Sequence, residues 1–225
     1  MNPALRHSAA HLFVASLDAP EPTVDDAHHL FRVLRLRDGE TVTVSDGAGS
    51  WRATRVVGQS LLCAGEIEFE PAPRPVTVAS AIPKGDRLEW MVQKLTEVGV
   101  AEIVFLHCER SVVRWSGERG ERQLARQQRV AREASSQCRR VWLPLLLGPS
   151  PFGEVAGRPN TVIADPFGEP FDRSVGARNG QVTVMIGPEG GLTEQELGMA
   201  TNVCWGSNIL RVETAAVVAA ASFLI

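Results

Sequence analysis

The 225-residue chain carries a net charge of −3, so its bulk charge does not announce a nucleic-acid binder. It has no uncharged apolar run of about eighteen residues, the least a membrane span needs, and Met1 to Ala10 has no apolar stretch behind Arg6 and His7, so no signal peptide is expected. Four scattered cysteines without a CxxC pair, and five histidines without metal spacing, argue against a zinc site and for reduced thiols in a cytoplasmic protein.

Residues 1–72 read as β-rich. Leu12-Phe13-Val14 is a short strand candidate. Asp25 to Leu34 reads as a short helix capped by Asp25 or Asp26, with His29, Leu30 and Val33 behind the cap. Thr41 to Val44 and Trp51 to Val57 are strands joined across Asp46-Gly47, a hairpin signal. Leu61 to Phe69 reads as one further strand with Gly65 as a bulge. Short strands with glycine turns point to a small barrel. Arg32, Arg35 and Arg37 surround Val33, Leu34 and Leu36, either as an exposed basic edge for RNA or as a strand with polar alternation. Glu70-Pro71-Ala72-Pro73-Arg74-Pro75 marks a boundary, because prolines so closely spaced continue neither a helix nor a central strand.

From Val76 strands alternate with helices. Val76 to Ile82 and Ile103 to His107 read as strands. Between them Asp86 caps a helix reaching Val98, with Leu88, Met91, Val92 and Leu95 on one face and Gly99 as its stop. Gly120 to Arg140 is a long arginine-rich helix with Leu124, Val130 and Ala134 facing inward. Its arginines suit phosphate contacts, or equally a solvated face of i,i+4 pairs. Trp142 to Leu147 reads as a strand before a Gly148-Pro149 turn, and Thr161 to Asp165 as a strand with Pro166 and Gly168 in the turn beyond. Gln181 to Ile186 is a buried strand. Thr193 with Glu196 is a capping box that opens a helix to about Val203. Thr214 begins a closing helix, Ala215 to Phe223, apolar on nearly every face. This alternation predicts an α/β domain with a mainly parallel sheet.

In open α/β sheets ligands bind at the carboxyl ends of the strands. Three such ends stand out: Asp165 to Gly168, Gly187 to Gly191, and Gly206 to Arg211. The dinucleotide GxGxxG, the P-loop, the GxSxG elbow and HExxH are all absent. Gly187, Gly190 and Gly191 permit close approach to a ligand, although the turn taken alone is also what a ligandless β–α connection needs.

Ile186-Gly187-Pro188-Glu189-Gly190-Gly191-Leu192-Thr193, followed by Ile209-Leu210-Arg211-Val212-Glu213-Thr214-Ala215, resembles the paired C-terminal motifs of RsmE-type methyltransferases of the SPOUT superfamily. Further matches run the length of the chain: Val33-Leu34-Arg35 with Gly39, Lys84 and Asp86, Gln93 to Gly99, Glu109-Arg110-Ser111, and Glu133 to Arg140. Trp205 stands where that family usually has leucine, and Asn208 where a basic residue is common.

The resemblance implies a PUA-like β-barrel over residues 1–72 that binds RNA. It implies a SPOUT methyltransferase domain over 73–225, an α/β fold with a deep trefoil knot that binds cofactor and dimerises. The cofactor would be S-adenosyl-L-methionine, the substrate a uridine of 16S ribosomal RNA as free RNA or as the assembled small subunit, the product N3-methyluridine, and the protein a cytoplasmic homodimer. Cofactor contacts would come from Asp165, Ile186, Gly187, Gly190, Gly191, Gly206, Ile209, Leu210 and Thr214. Asp165 would meet the cofactor's ammonium group or close its own turn. Arg211 would stabilise a uridinate anion or anchor a phosphate, unless it pairs with Glu213 or Glu189. Glu189 would act as base or cap the following helix. Arg6, Arg32, Arg35, Arg110, Arg139 and Arg140 would hold the RNA backbone. A non-catalytic RNA-binding module would share the arginines without needing three glycine-bearing strand ends. A methyltransferase for another RNA or base would share the cofactor and differ in product.

Overall fold

The computed structural model describes residues 2–172, 174 and 180–225. The chain divides into two units: Met1–Ala72 with Arg132–Leu143, and Pro73–Ala131 with Pro144–Ile225. The second crossing, near Arg132, falls inside the long arginine-rich helix and carries no composition signal.

The first unit holds α1 (Pro3–His7), β1 (Ala10–Phe13), α2 (Val24–His28), a π-helical turn (His29–Val33), β2 (Thr41–Ser45), β3 (Ser50–Val57), β4 (Ser60–Cys63) and β5 (Glu68–Phe69). β1 runs parallel to β2, β2 and β3 form the expected hairpin, and β3 also pairs with β4 and β5. Leu12, Leu30, Val42, Val44, Val56 and Leu61 make its core.

Three local readings change here. Thr23, not Asp25 or Asp26, caps α2: its side chain accepts from Asp26 N–H, and the Asp26 carboxylate returns the bond to Thr23. The α-helix then widens into the π turn, and Arg35 sits at a φ of 55°, so Arg32 to Arg37 do not form a strand. Leu61 to Phe69 is two strands, because the loop around Gly65 is held off the ladder. The Arg52 guanidinium donates to Gly65 O at 2.6 Å. The short helix α1, opened by Asn2 over Pro3, was not expected from the pattern.

The second unit continues with β6 (Val76–Ala81), α3 (Arg87–Val98), β7 (Glu102–His107), α4 (Gly117–Cys138), β8 (Leu145–Pro151), α5 (Phe152–Ala156), β9 (Thr161–Pro170), β10 (Val182–Ile186), α6 (Glu194–Leu197), β11 (Thr201–Cys204) and α7 (Val212–Leu224). The last residues of α4 count with the first unit. The six strands lie in the order β11-β9-β10-β6-β7-β8, and every pair is parallel. Side-chain alternation sorts them into two faces. Val76, Val78, Ile103, Phe105, Val182 and Val184 pack under α3 and α7, whereas Ala79, Ala81, Val104, Leu106, Ile163 and Met185 pack against α5. Burial on both faces explains why these strands read as continuous apolar runs.

The structure corrects several boundaries. β8 runs through Gly148-Pro149 instead of stopping there. Its register against β7 slips between Val104 and Leu106, and Gly148 absorbs the slip at a φ of 103°, where a Cβ would lie 2.5 Å from Phe105 O. β9 continues past Asp165 to Pro170. α6 stops at Leu197, leaving room for β11, an edge strand too short and polar to stand out. Asp86 sits at the cap position of α3 without making a side-chain cap bond. Arg211 occupies the N-cap of α7, so Thr214 lies within its first turn instead of capping it.

Candidate active site

β9, β10 and β11 are neighbours at one end of the sheet, and their carboxyl ends open on one cavity of about 510 Å³. Its wall takes Asp165 and Phe167 from β9, Ile186 from the end of β10, and Gly187, Glu189 and Gly191 from the turn after it. Gly206, Asn208, Ile209, Leu210 and Arg211 from the segment between β11 and α7 complete it. Of the residues singled out in the sequence for cofactor contact, Gly190 and Thr214 do not line it.

Each loop has a local cause. β9 pairs with β11 at Val162 and Ile163, and again only at Glu169 and Pro170, so Ala164 to Gly168 bulge out of the ladder toward the cavity. Asp165 Oδ1 accepts the Phe167 N–H at 3.0 Å, so this carboxylate does close its own turn, and its other oxygen has no partner among the described residues. Gly168 lets the bulge lie against β11, since a Cβ there would stand 2.6 Å from Asn202 C and Val203 N. After β10, Gly191 takes a φ of 73° and a Cβ on Gly187 would meet Leu192 Cγ at 2.7 Å. The Thr193–Glu196 capping box then starts α6, and the buried Glu196 also accepts the Glu109 N–H at 2.9 Å.

The charged groups are arranged by a residue that the sequence did not advertise. Arg87, first residue of α3, stands 3.4 Å from Glu189 Oε1 and 3.9 Å from Glu213 Oε2. Nothing in a one-dimensional pattern says which carboxylates an arginine at a helix start will meet. Both acids considered as partners for Arg211 are therefore engaged by Arg87. Arg211 is exposed at the rim, with no ion pair among the described residues. Trp205 stacks on Phe171 at 5.3 Å and meets Phe223 edge-on, which explains how a bulkier residue replaces leucine there. Its Nε1 is buried in the cavity wall with no hydrogen-bond partner among the described residues.

The six arginines singled out for RNA fall into distinct situations. Arg6, Arg32 and Arg35 are exposed on the first unit. Arg110 donates to Gly190 O and Leu192 O, both at 3.4 Å, and so belongs to the glycine turn. Arg139 donates to the carbonyls of Ser136, Ser8 and Ala9, and Arg140 is mostly buried, which pulls its guanidinium down to about 10. The guanidinium of Arg139 is thus spent inside the first unit.

Comparisons with known proteins agree with this geometry. A family model described as the RNA methyltransferase domain matches residues 70–224, and one described as the RNA methyltransferase PUA domain matches 22–59. The chain is 35% identical over 218 residues to the ribosomal RNA small subunit methyltransferase E of Synechocystis, covering 88% of this chain and 70% of that protein. It is 30% identical to the Bacillus subtilis protein of the same name, covering 86% and 84%. A crystal structure of the Neisseria gonorrhoeae ribosomal RNA small subunit methyltransferase E, bound to S-adenosyl methionine, superposes with a TM-score of 0.80 at 28% identity over 96% of both chains. A model match over most of its length and near full-length relatives at this identity mean that the chain belongs to the ribosomal RNA small subunit methyltransferase E family.

Proposed function

We propose that this protein is an S-adenosyl-L-methionine-dependent methyltransferase that modifies N3 of a uridine in 16S ribosomal RNA. The observation that carries the reading is the convergence of three strand-end loops on one cavity with an unpaired arginine at its rim. The volume suits a small cofactor. The lining is largely apolar, contains no lysine, and presents backbone groups beside glycines, which fits an uncharged adenosine better than a polyphosphate. The orphaned Trp205 Nε1 offers an N–H to an acceptor, and the free oxygen of Asp165 suits an ammonium group.

When bound, the cofactor supplies an electrophilic methyl group on a sulfonium. The chain's own task is to make uridine N3 a nucleophile and to hold it in line. Arg211, exposed and unpaired, stabilises the developing uridinate oxygen or anchors its phosphate. Glu189, whose Oε1 stands 3.4 Å from the Arg87 guanidinium, is the group that takes the N3 proton in this reading. Positioning and electrostatics supply most of the acceleration. The target base has to be unpaired or flipped out.

The same reading includes a PUA-like RNA-binding part over residues 1–72, and a knotted SPOUT part over 73–225 that holds the cofactor and dimerises. It includes a homodimer in the cytoplasm acting on ribosomal RNA or the assembled small subunit. Among the described residues no helix is long and apolar enough to cross a membrane. Nucleoside mass spectrometry of 16S RNA from a deletion strain tests the function: N3-methyluridine should disappear and return with the gene. An unchanged N3-methyluridine level alongside loss of another methylated base would redirect the assignment to that base.

A further inference from the structure

A second cavity, of about 500 Å³, opens on the same unit and takes no part in the chemistry above. It is walled by the start of α3 at Asp86 and Glu89, by the segment Val112 to Trp115, and by α4 at Arg119, Arg126 and Gln127. Two contacts put it beside the first cavity. Arg87, between Asp86 and Leu88 of the second wall, reaches Glu189 of the first at 3.4 Å. Arg110 holds the glycine turn through Gly190 O and Leu192 O, and the chain passes from there into Val112 to Trp115. Arg87 and the segment from Arg110 to Trp115 thus join the walls of the two cavities.

Their chemistry differs. The second carries three guanidinium groups against the carboxylates of Asp86 and Glu89. Arg126 is paired with Glu89, and Arg114 donates to Glu109 O at 3.1 Å. Arg119 is exposed and makes no ion pair among the described residues. Within the wall, Gln127 is only 1% exposed, yet its Oε1 has no donor among the described residues. A buried amide oxygen left alone is costly, and such an atom in a cavity wall calls for a partner that arrives from outside. A cationic rim over a lone buried acceptor matches a nucleotide, whose phosphate suits a guanidinium and whose base edge carries N–H donors.

We infer that this second cavity is a nucleotide subsite for the RNA substrate. It takes an unpaired nucleotide beside the cofactor cavity, with a phosphate on Arg119 and a base N–H donating to Gln127 Oε1. The inference rests on the ribosomal RNA reading, and its test separates the two.

The full chain is titrated into fluorescently labelled single-stranded oligouridylate over a range of salt, with calorimetry on S-adenosylmethionine in parallel. Arg119→Ala should weaken RNA binding about tenfold at low salt and reduce the log–log salt slope by about one. Gln127→Leu keeps the volume and removes the acceptor. It should weaken RNA binding about tenfold with the salt slope unchanged, and neither variant should alter cofactor affinity. Oligouridylate affinity that is absent in the wild type, or unchanged in Arg119→Ala or in a folded Gln127→Leu, overturns the subsite. Should Gln127→Leu fail to fold, Arg119→Ala, an exposed change, decides alone. Loss of the methyltransferase reading would show instead as no cofactor heat in the wild type.

Discussion

At the residue scale, the decisive feature is which charges are engaged and which are free. Arg87 holds Glu189 and approaches Glu213, so Arg211 is left at the cavity rim without a carboxylate. Its side chain makes no cap bond to α7 either, so removing it should cost little stability. Arg211→Ala is expected to lower kcat about 100-fold, the usual effect of deleting one stabilising donor, while leaving the melting temperature and cofactor affinity near wild type. Single-turnover methylation with calorimetry checks this; near-wild-type turnover would remove Arg211 from the chemistry. Elsewhere a buried histidine sets a pH limit. Burial lowers His11 to about 4, the nearby Arg139 charge acts in the same direction, and a backbone hydrogen bond to Arg140 opposes them. The folded value lies below the unfolded 6.5, so between pH 4 and 6.5 the unfolded chain binds more protons and stability rises with pH. This contribution, up to about 3 kcal/mol, is complete above 6.5 and lost as the pH falls toward 4. Denaturant titrations at pH 7 and pH 4 should show wild type losing more stability than His11→Gln; equal losses would mean that His11 protonates freely in the fold.

At the element scale, the cavity depends on irregularities more than on regular strands. The excursion of Ala164 to Gly168 out of the β9–β11 ladder presents Asp165, and Gly168 permits it by lying against the backbone of Asn202 and Val203. Its φ is not in the left-handed region, so the constraint there is space and not torsion. Gly168→Ala should therefore push β11 away, cost about 1–3 kcal/mol as overpacking does, and weaken cofactor binding. Calorimetry and thermal melts measure both, and an unchanged melt would show that the edge strand yields freely. These irregularities also mark where sequence reading stops. The buried strands around Val78, Phe105 and Val184, the helix ended by Gly99 and the Thr193–Glu196 capping box were legible, because periodicity and end signals are local. The extension of β9 beyond Pro166 was not, since proline and glycine read as a turn unless a neighbouring strand resumes pairing. Gly148-Pro149 misled for the same reason. That three strand ends meet was legible from the topology rule, whereas the Arg87 bridge and the lone Gln127 oxygen arise from contacts between elements distant in sequence.

At the scale of the whole molecule, the units are not consecutive segments. The first draws Arg132–Leu143 from the middle of the chain. There Val141 is buried with Leu5 and Trp51, Trp142 donates to Glu70 O at 2.9 Å, and Arg132 donates to Phe13 O at 2.6 Å while its guanidinium stands 5.2 Å from the Phe13 ring centre. A cut at the proline-rich segment therefore does more than remove a barrel. It strips the cover from Val141, worth roughly 2 kcal/mol for a side chain of that size, and takes away the Glu70 and Phe13 carbonyls to which Trp142 and Arg132 donate. The six-stranded sheet and all three cavity loops lie wholly within residues 73–225. Residues 73–225 expressed alone should accordingly keep cofactor affinity within about threefold. They should lose at least about tenfold in affinity for ribosomal RNA as Arg6, Arg32 and Arg35 are removed, and self-associate through the uncovered Val141–Trp142 surface. Replacing both residues with serine in that fragment should restore dispersity without restoring RNA binding, as followed by sedimentation and fluorescence anisotropy. RNA affinity equal to that of the full chain would deny the first unit its role, and loss of cofactor binding in the dispersed fragment would show that the cavity depends on more than the second unit.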